Sequence, residues 1–357
     1  MCEVKDKLRV GVVGCGQIAQ IMHLPYLKEL PFLEIGAVCD ISKMQIDAIG
    51  DFYGVKNRYL DYQDMLAQDD LDIVLICNMD HAQVAIDAAT AGKHVITEKP
   101  MCFNLEEADR MIEAAKKSDV KLMVSYMKRY DPGYQWALPM LKSMKDLRYI
   151  QVRDFGGDFS INNEIYDLFV PTDIPEKVMK EGQAKMQAAL VKAVGKDREE
   201  LSRAYSLLLG LSTHDSVVMR QAFGYPDRVL YADVYEKTFV VAVLEYGSGA
   251  RCGFESGLLM GGKWWEENLT AFGTDRVVEV KFPFPYLRNA ATLVNVKEMD
   301  GGAIVSKEVV ASYDEAFKRE WRHFYECITE DREPLTNGEE GRADIALMID
   351  IIKAVRV

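Results

Sequence analysis

The sequence predicts two domains of different class: an α/β domain with a doubly wound parallel sheet, followed by an α+β domain with a mostly antiparallel sheet. Two observations carry this. Up to residue 126, short β-branched runs alternate with helical stretches, and the strands are almost continuously apolar, as in a parallel sheet covered on both faces. After residue 127 a helix-rich span gives way to strand-like runs joined by hairpin-like connections. A length of 357 residues suits about two domains, which the change of rhythm places at 1–126 and 127–357.

The elements are expected in this order. Strand-like Leu8–Val13 leads into a helix over Gln17–Leu30, then strand Leu33–Cys39 and helix Lys43–Phe52. Strand Ile73–Cys77, helix His81–Ala91, strand His94–Thr97, helix Leu105–Ser118 and strand Lys121–Tyr126 complete the first domain. Asn104 can cap the helix from Leu105, with Glu107 three residues later as in a capping box. The second domain opens with a helix near Tyr134–Met144 and a strand at Arg148–Asp154, and is helix-rich from Pro175 to Phe223. Strand-like runs follow at Arg228–Tyr235, Thr238–Tyr246, Ala250–Glu255, Asn268–Phe272, Val277–Val280 and Ala303–Val310. Helices at Glu315–Thr329 and Glu339–Val355 close the chain, the second with Glu339 and Glu340 complementing its dipole.

Composition narrows the function. Apolar residues at 49% and charged residues at 28% describe a globular chain. No apolar run approaches the ~18 residues that cross a bilayer, and the charged start Met1–Lys7 lacks a signal-peptide core, so a cytoplasmic protein is expected. Seven cysteines, without a Cys-x-x-Cys pair, read as reduced core residues, not as a disulfide frame or a metal site. The net charge of −13 disfavours a nucleic-acid partner but leaves a small-molecule site open.

The first chemistry lies at Gly14-Cys15-Gly16-Gln17-Ile18-Ala19, where a strand turns into a helix. In that context Gly-x-Gly-x-x-Ala marks a dinucleotide turn. Gly14 permits the tight bend, Gly16 lets the backbone approach a pyrophosphate, and Ala19 keeps helix and strand close. The first helical N–H groups, from Gln17 and Ile18, suit a phosphate. Asp40 ends the second strand, 21 positions after Ala19, where its carboxylate can accept from a ribose and repel a 2′-phosphate. NAD is therefore favoured over NADP, with Lys43 softening the preference. Asn78, in the loop after a strand, either contacts the cofactor or caps the next helix.

The run Ala91-Gly92-Lys93-His94-Val95-Ile96-Thr97-Glu98-Lys99-Pro100 closely resembles the glucose–fructose oxidoreductase / inositol dehydrogenase (Gfo/Idh/MocA) family, whose Glu-Lys-Pro signature ends a strand beside the cofactor. His81, Val124–Pro132 and Glu333–Gly341 extend the resemblance along the chain. It implies a Rossmann domain followed by an open antiparallel sheet, one face of which often forms a homodimer or homotetramer interface. It also implies a nicotinamide and a sugar- or polyol-like substrate between the domains, and a cis Pro100 directing Lys99.

Hydride transfer at a carbinol needs a base for the hydroxyl proton and a cation for the developing alkoxide, and Lys99 can serve as either. His214 resembles the family's substrate-facing histidine, with a side chain suited to proton exchange near neutrality. Tyr126 and Arg129 leave the last strand near the expected cleft, to bind substrate or to clamp the structure. The chain departs from the family in having Gly210 and Val217 where aspartates commonly stand four before and three after the histidine. On an α-helix the first of these lies on the histidine's own face. Three readings follow. The leading one is an NAD(P)-dependent oxidoreductase of sugars, inositol or related polyols. The others are glycoside cleavage through transient oxidation and elimination, and a non-enzymatic dinucleotide-binding regulator. Trp264-Trp265 suits an oligomer seam, and His23 and Pro25 suit a structural role.

Overall fold

A computed structural model describes residues 7–356. The chain divides into two compact units, each discontinuous in sequence. The first runs to Ser125 and adds Asn163–Ala189 and Glu320–Ala343; the second comprises Tyr126–Asn162, Leu190–Arg319 and the chain from Asp344.

In the first unit, β1 (Leu8–Val13) runs through the glycine turn into a π-helical turn (Ala19–His23) and α1 (Leu24–Glu29). Next come β2 (Leu33–Cys39), α2 (Lys43–Tyr53), β3 (Arg58–Tyr59), α3 (Tyr62–Leu66), β4 (Ile73–Ile76) and α4 (His81–Thr90). β5 (His94–Thr97), α5 (Leu105–Lys117) and β6 (Leu122–Val124) follow. The six strands are all parallel, in the order β3-β2-β1-β4-β5-β6. This is the doubly wound Rossmann order, whose direction reverses between β1 and β4 and opens a crevice at the strands' carboxyl ends. The central strands are buried on both faces: Val10, Val12, Ile73, Val74, Leu75 and Ile76 have no exposed surface. Val13 pairs with Cys39 and with Ile76, so Gly14, Asp40 and Cys77 emerge at one level. The Glu98 N–H donates to the Ile76 carbonyl at 2.8 Å, bringing the next turn alongside. At the far edge, Thr336 exchanges backbone and hydroxyl bonds of 2.7 Å with Val124.

In chain order the other elements are a 3-10 turn (Met127–Tyr130), α6 (Pro132–Lys142), β7 (Tyr149–Gly156), α7 (Ile161–Ile165) and α8 (Glu176–Val194). A second 3-10 segment (Lys196–Leu201), α9 (Ser202–Leu207), a second π-helical turn (Leu208–Ser212) and α10 (Thr213–Phe223) precede the main strands. These are β8 (Arg228–Tyr235), β9 (Phe239–Glu245), β10 (Arg251–Leu258), β11 (Glu266–Phe272), β12 (Arg276–Phe282), β13 (Leu293–Asp300) and β14 (Ala303–Val310). α11 (Ala316–Thr329) and α12 (Gly338–Ala354) end the chain. The second unit holds an eight-stranded sheet in the order β14-β13-β12-β11-β7-β10-β9-β8. Only its β7–β10 pair is parallel. Ile150, Val152, Leu269, Ala271, Val278 and Val280 are fully buried on one face, while Tyr149, Tyr231, Val241 and Phe272 are exposed on the strands' alternate positions.

Both predicted sheets are present. The sequence reading leaves out β3 and α3, whose two and five residues are too short to show a period. It also leaves out β13, where only Val294 and Val296 are buried and the rest is polar or charged. The two π-helical turns interrupt stretches expected to be simple α-helix. Among the described residues, Cys15, Cys39, Cys77, Cys102, Cys252 and Cys327 are free thiols. No described helix is long and apolar enough to cross a membrane.

Candidate active site

The chain leaves β1 at Gly14 with φ +87°. A Cβ there would lie 2.6 Å from the Asn78 nitrogen and 2.8 Å from the Cys77 carbonyl carbon, so the bend requires glycine. Gly16 differs: a Cβ would meet nothing within 4 Å. The protein's own packing does not call for glycine there, whereas a bulky group approaching the backbone does. Gln17 and Ile18, both half-buried, follow at the helix start. Asp40 is held on both oxygens, accepting the Cys15 N–H at 2.8 Å and the Ser42 N–H at 3.0 Å. Each carboxylate oxygen keeps a further lone pair for a ligand hydroxyl. The Asn78 Oδ1 is buried with no hydrogen-bond partner, an acceptor that a ligand donor would satisfy. This set of groups fits a dinucleotide diphosphate and ribose.

Beside it, β5 ends in Glu98-Lys99-Pro100, with the Lys99–Pro100 peptide cis. Glu98 is buried, and its Oε2 accepts the Lys99 N–H at 3.0 Å. Its Oε1 lies 2.8 Å from His23 Nε2, and His23 Nδ1 lies 3.1 Å from the Trp321 indole nitrogen. An indole N–H only donates. His23 Nδ1 is therefore the acceptor, and Nε2 carries the proton given to Glu98. Burial pushes the Glu98 carboxyl up, but the hydrogen bond from His23, the Lys99 charge and the Lys99 N–H outweigh it and hold the group below the ordinary carboxylate range. On the other side of the turn, His81 Nδ1 lies 2.7 Å from the Pro100 carbonyl oxygen, which can only accept. Burial lowers the His81 pKa, so the ring stays a neutral Nδ1–H donor. Lys99 itself is half-buried on this doubly fastened turn. Below it, the Ser125 hydroxyl donates to Glu320 at 2.6 Å, and burial raises the Glu320 carboxyl well above its ordinary pKa.

The segment Asn163–Ala189 belongs to this first unit. Gln20 binds both backbone groups of Phe169, donating to its carbonyl at 3.0 Å and accepting its N–H at 2.9 Å. Further along, Asp173 accepts from the Ser42 hydroxyl and, at 3.0 Å, from the Met44 N–H. Lys185 on α8 pairs with Asp80. No sequence signal marked this strap, because its anchors are single polar residues more than 100 positions from their partners.

In the second unit, His214 sits half-buried in the first turn of α10. The α-helical spacing assumed for Gly210 does not hold here: the π-helical turn carries the Thr213 N–H back five residues, to the Leu208 carbonyl. Gly210 is exposed instead of stacked one α-turn below the histidine. Asp215, the next residue, is fully buried, 3.3 Å from the Lys128 ammonium. Lys128 also binds Glu267 and lies 4.2 Å from the centre of the Phe282 ring. Carboxylate oxygens of Asp154, Asp215 and Glu267 fall within 4.8 Å of one another, and the Lys128 ammonium gathers this otherwise repulsive group. Burial raises the Asp215 pKa and lowers that of Lys128, against their mutual attraction. Arg129 is buried, its Nε donating to the Val217 carbonyl at 2.9 Å, and the Tyr134 hydroxyl donates to the Val218 carbonyl at 2.8 Å. Tyr126 is fully buried. Trp264 is exposed, whereas Trp265 donates to Glu267 at 3.0 Å and packs on Phe159 and Phe284.

Residues 8–126 match a family described as "Oxidoreductase family, NAD-binding Rossmann fold", the Gfo/Idh/MocA group. A myo-inositol 2-dehydrogenase of Thermotoga maritima is 34% identical over 130 residues, covering 36% of this chain and 39% of that protein. A D-glucoside 3-dehydrogenase of Escherichia coli is 34% identical over 125 residues, covering 34% of this chain and 36% of that protein. The matched stretch thus spans well under half the length of these curated relatives. Over the whole chain the likeness is one of fold. A 3-ketoreductase from Actinomadura kijaniata, solved in complex with TDP-benzene and NADP, superposes with a TM-score of 0.75 at 18% identity, covering 98% of each chain. An aldose-aldose oxidoreductase from Caulobacter crescentus, complexed with glycerol, gives 0.74 at 20% identity, covering 98% of this chain and 97% of that one. With the glycine turn, Asp40 and the Glu98-Lys99-Pro100 turn in one sheet, residues 8–126 belong to the Gfo/Idh/MocA oxidoreductase family.

Proposed function

We propose that this chain is an NAD(P)-dependent oxidoreductase that transfers hydride to or from a secondary alcohol or ketone of a sugar, inositol or related polyol. The observation that carries the reading is the Lys99 turn, fastened by Glu98 and His81 at the carboxyl end of the same sheet as Gly14, Gly16 and Asn78. The inositol and glucoside dehydrogenases among the relatives support the substrate class. A bound nicotinamide supplies the hydride acceptor or donor. Lys99 then takes the hydroxyl proton at Nζ, or stabilises the developing alkoxide with its positive charge. His214 is the second proton carrier, and Tyr126 and Arg129 shape the substrate side of the second unit. The exposed apolar residues of the eight-stranded sheet support assembly of two or four copies.

The test is nicotinamide absorbance on mixing the full chain with NAD and a panel of polyols, or with NADH and keto-sugars. At least one pair is expected to turn over, with Lys99→Met lowering kcat by about 10²- to 10⁴-fold while NAD still binds. Tight NAD binding with no turnover across the panel overturns the reading.

A further inference from the structure

We infer that Asp173, brought by the strap to the start of α2, is a cofactor-selecting residue: with Asp40 it closes the adenosine end of the site to a 2′-phosphate and commits the chain to NAD. The inference rests on the dinucleotide reading above and deepens it, since Asp40 alone gives only the customary preference.

An NADP phosphate would need hydrogen-bond donors at this end of the site. They lie just past the acidic end of β2, where α2 begins and its dipole favours an anion. Here those donors are the Ser42 hydroxyl, the Ser42 N–H and the Met44 N–H. Asp173 takes the hydroxyl and, at 3.0 Å, the Met44 N–H. Asp40 takes the Ser42 N–H at 3.0 Å. The Ser42 oxygen in turn accepts the Gln45 N–H at 2.9 Å, so the Ser42, Met44 and Gln45 N–H groups are all engaged by the chain itself. Lys43, the one cation at hand in the sequence reading, is paired with Asp47 at 2.7 Å on the surface.

Charge acts in the same direction. A phosphate entering here would meet two carboxylates, with the Ser42 hydroxyl and the Ser42 and Met44 N–H groups already engaged. The Ser42 and Met44 hydrogen bonds hold Asp173 below its ordinary pKa, so it stays anionic at neutral pH. Its position does not depend on chance loop packing. Gln20 grips both backbone groups of Phe169 and also donates to the Cys15 carbonyl, at 3.0 Å, within the glycine turn. From Phe169 to Asp173 the chain can span about 14 Å. It thus links the glycine turn, through Gln20, to the start of α2. An NAD ribose keeps its 2′-hydroxyl, which can donate to a carboxylate where a phosphate cannot.

The experiment is equilibrium binding of NAD and NADP, by calorimetry at fixed ionic strength, to the full-length wild type, Asp173→Ala and Asp173→Asn. The wild type is expected to prefer NAD. Asp173→Ala should raise NADP affinity by roughly tenfold or more, through the two freed donors and the lost charge, with NAD affinity changed by less than about threefold. Asp173→Asn keeps an acceptor for Ser42 but loses the charge, so it should move the NADP/NAD ratio part of the way, and it carries the test should the alanine variant fail to fold. Equal changes for both nucleotides in the folded variants would reduce Asp173 to a helix cap and overturn the inference, as would a wild type that prefers NADP. A wild type that takes up neither nucleotide overturns the dinucleotide reading itself, a result distinct from an unmoved ratio.

Discussion

The backbone of Lys99 is fixed by a relay of buried groups. The indole of Trp321 sets the tautomer of His23, His23 donates to Glu98, and Glu98 accepts the Lys99 N–H. Removing the middle member leaves one buried carboxylate oxygen and a buried indole N–H without their partner. His23→Leu is therefore expected to cost about 3 kcal/mol in urea unfolding. The pH dependence follows from Glu98, whose folded pKa lies below its ordinary 4.5. Its stabilisation is complete above that ordinary value and is lost as pH falls through the folded one. In His23→Leu the acid-side loss should begin at higher pH; an unchanged acid limb would show that His23 does not hold Glu98 ionised. The tripeptide itself was legible, because Glu98, Lys99 and Pro100 are contiguous at a strand end. Its supports were not, since Trp321 and His23 stand 298 positions apart and only the fold brings them together. The same holds for Lys128, which reads as one basic residue in a basic run until Asp215 and Glu267 close on it.

At the scale of elements, the two glycines of the first turn separate folding from binding. Gly14 has a left-handed φ and backbone atoms where a side chain would go, whereas Gly16 has open space. Gly14→Ala should destabilise the protein by about 1–3 kcal/mol. Gly16→Val should leave the thermal midpoint nearly unchanged and weaken dinucleotide binding at least about tenfold. If Gly16→Val unfolds the chain as readily as Gly14→Ala, the open space at Gly16 is not reserved for a ligand. In the second unit, the Lys128 ammonium ties α10 to β11, with the Asp154 carboxylate of β7 within 4.8 Å of both partners. Lys128→Met leaves its buried carboxylates without their counter-charge and is expected to cost about 3–5 kcal/mol, read from the denaturant midpoint. Strands such as Leu33–Cys39 and His94–Thr97 fall where the apolar runs place them, because a doubly covered parallel strand leaves an uninterrupted signature. The π-helical turns leave none: a single widened turn changes no residue's polarity, and it is that turn which undoes the spacing argument between Gly210 and His214.

Across the whole molecule, stability has a pH slope set by carboxyls buried against their preference. Glu320 is fully buried beside Ser125 and near the charge of Glu98, and its folded pKa is raised well above 4.5. The folded state then holds a proton that the unfolded chain releases, so stability falls as pH rises above about 4.5. Glu320→Gln keeps the shape without the titration. Its thermal midpoint should gain on the wild type from pH 5 to pH 8, by an amount corresponding to about 1 kcal/mol or more. A constant difference across that range would show that Glu320 is not proton-linked to folding.

The interleaving of the two units has a consequence for inheritance and for protein engineering. The polypeptide changes unit at Ser125/Tyr126, Asn162/Asn163, Ala189/Leu190, Arg319/Glu320 and Ala343/Asp344. No single splice in the gene can therefore exchange the nucleotide half for that of a relative. Cutting at the obvious rhythm change after residue 126 would discard Trp321, Glu320, Thr336 and the strap, leaving His23, Ser125 and β6 without their bonded neighbours. A workable chimaera has to carry three separated stretches together, and drift in any one of them is answerable to the other two.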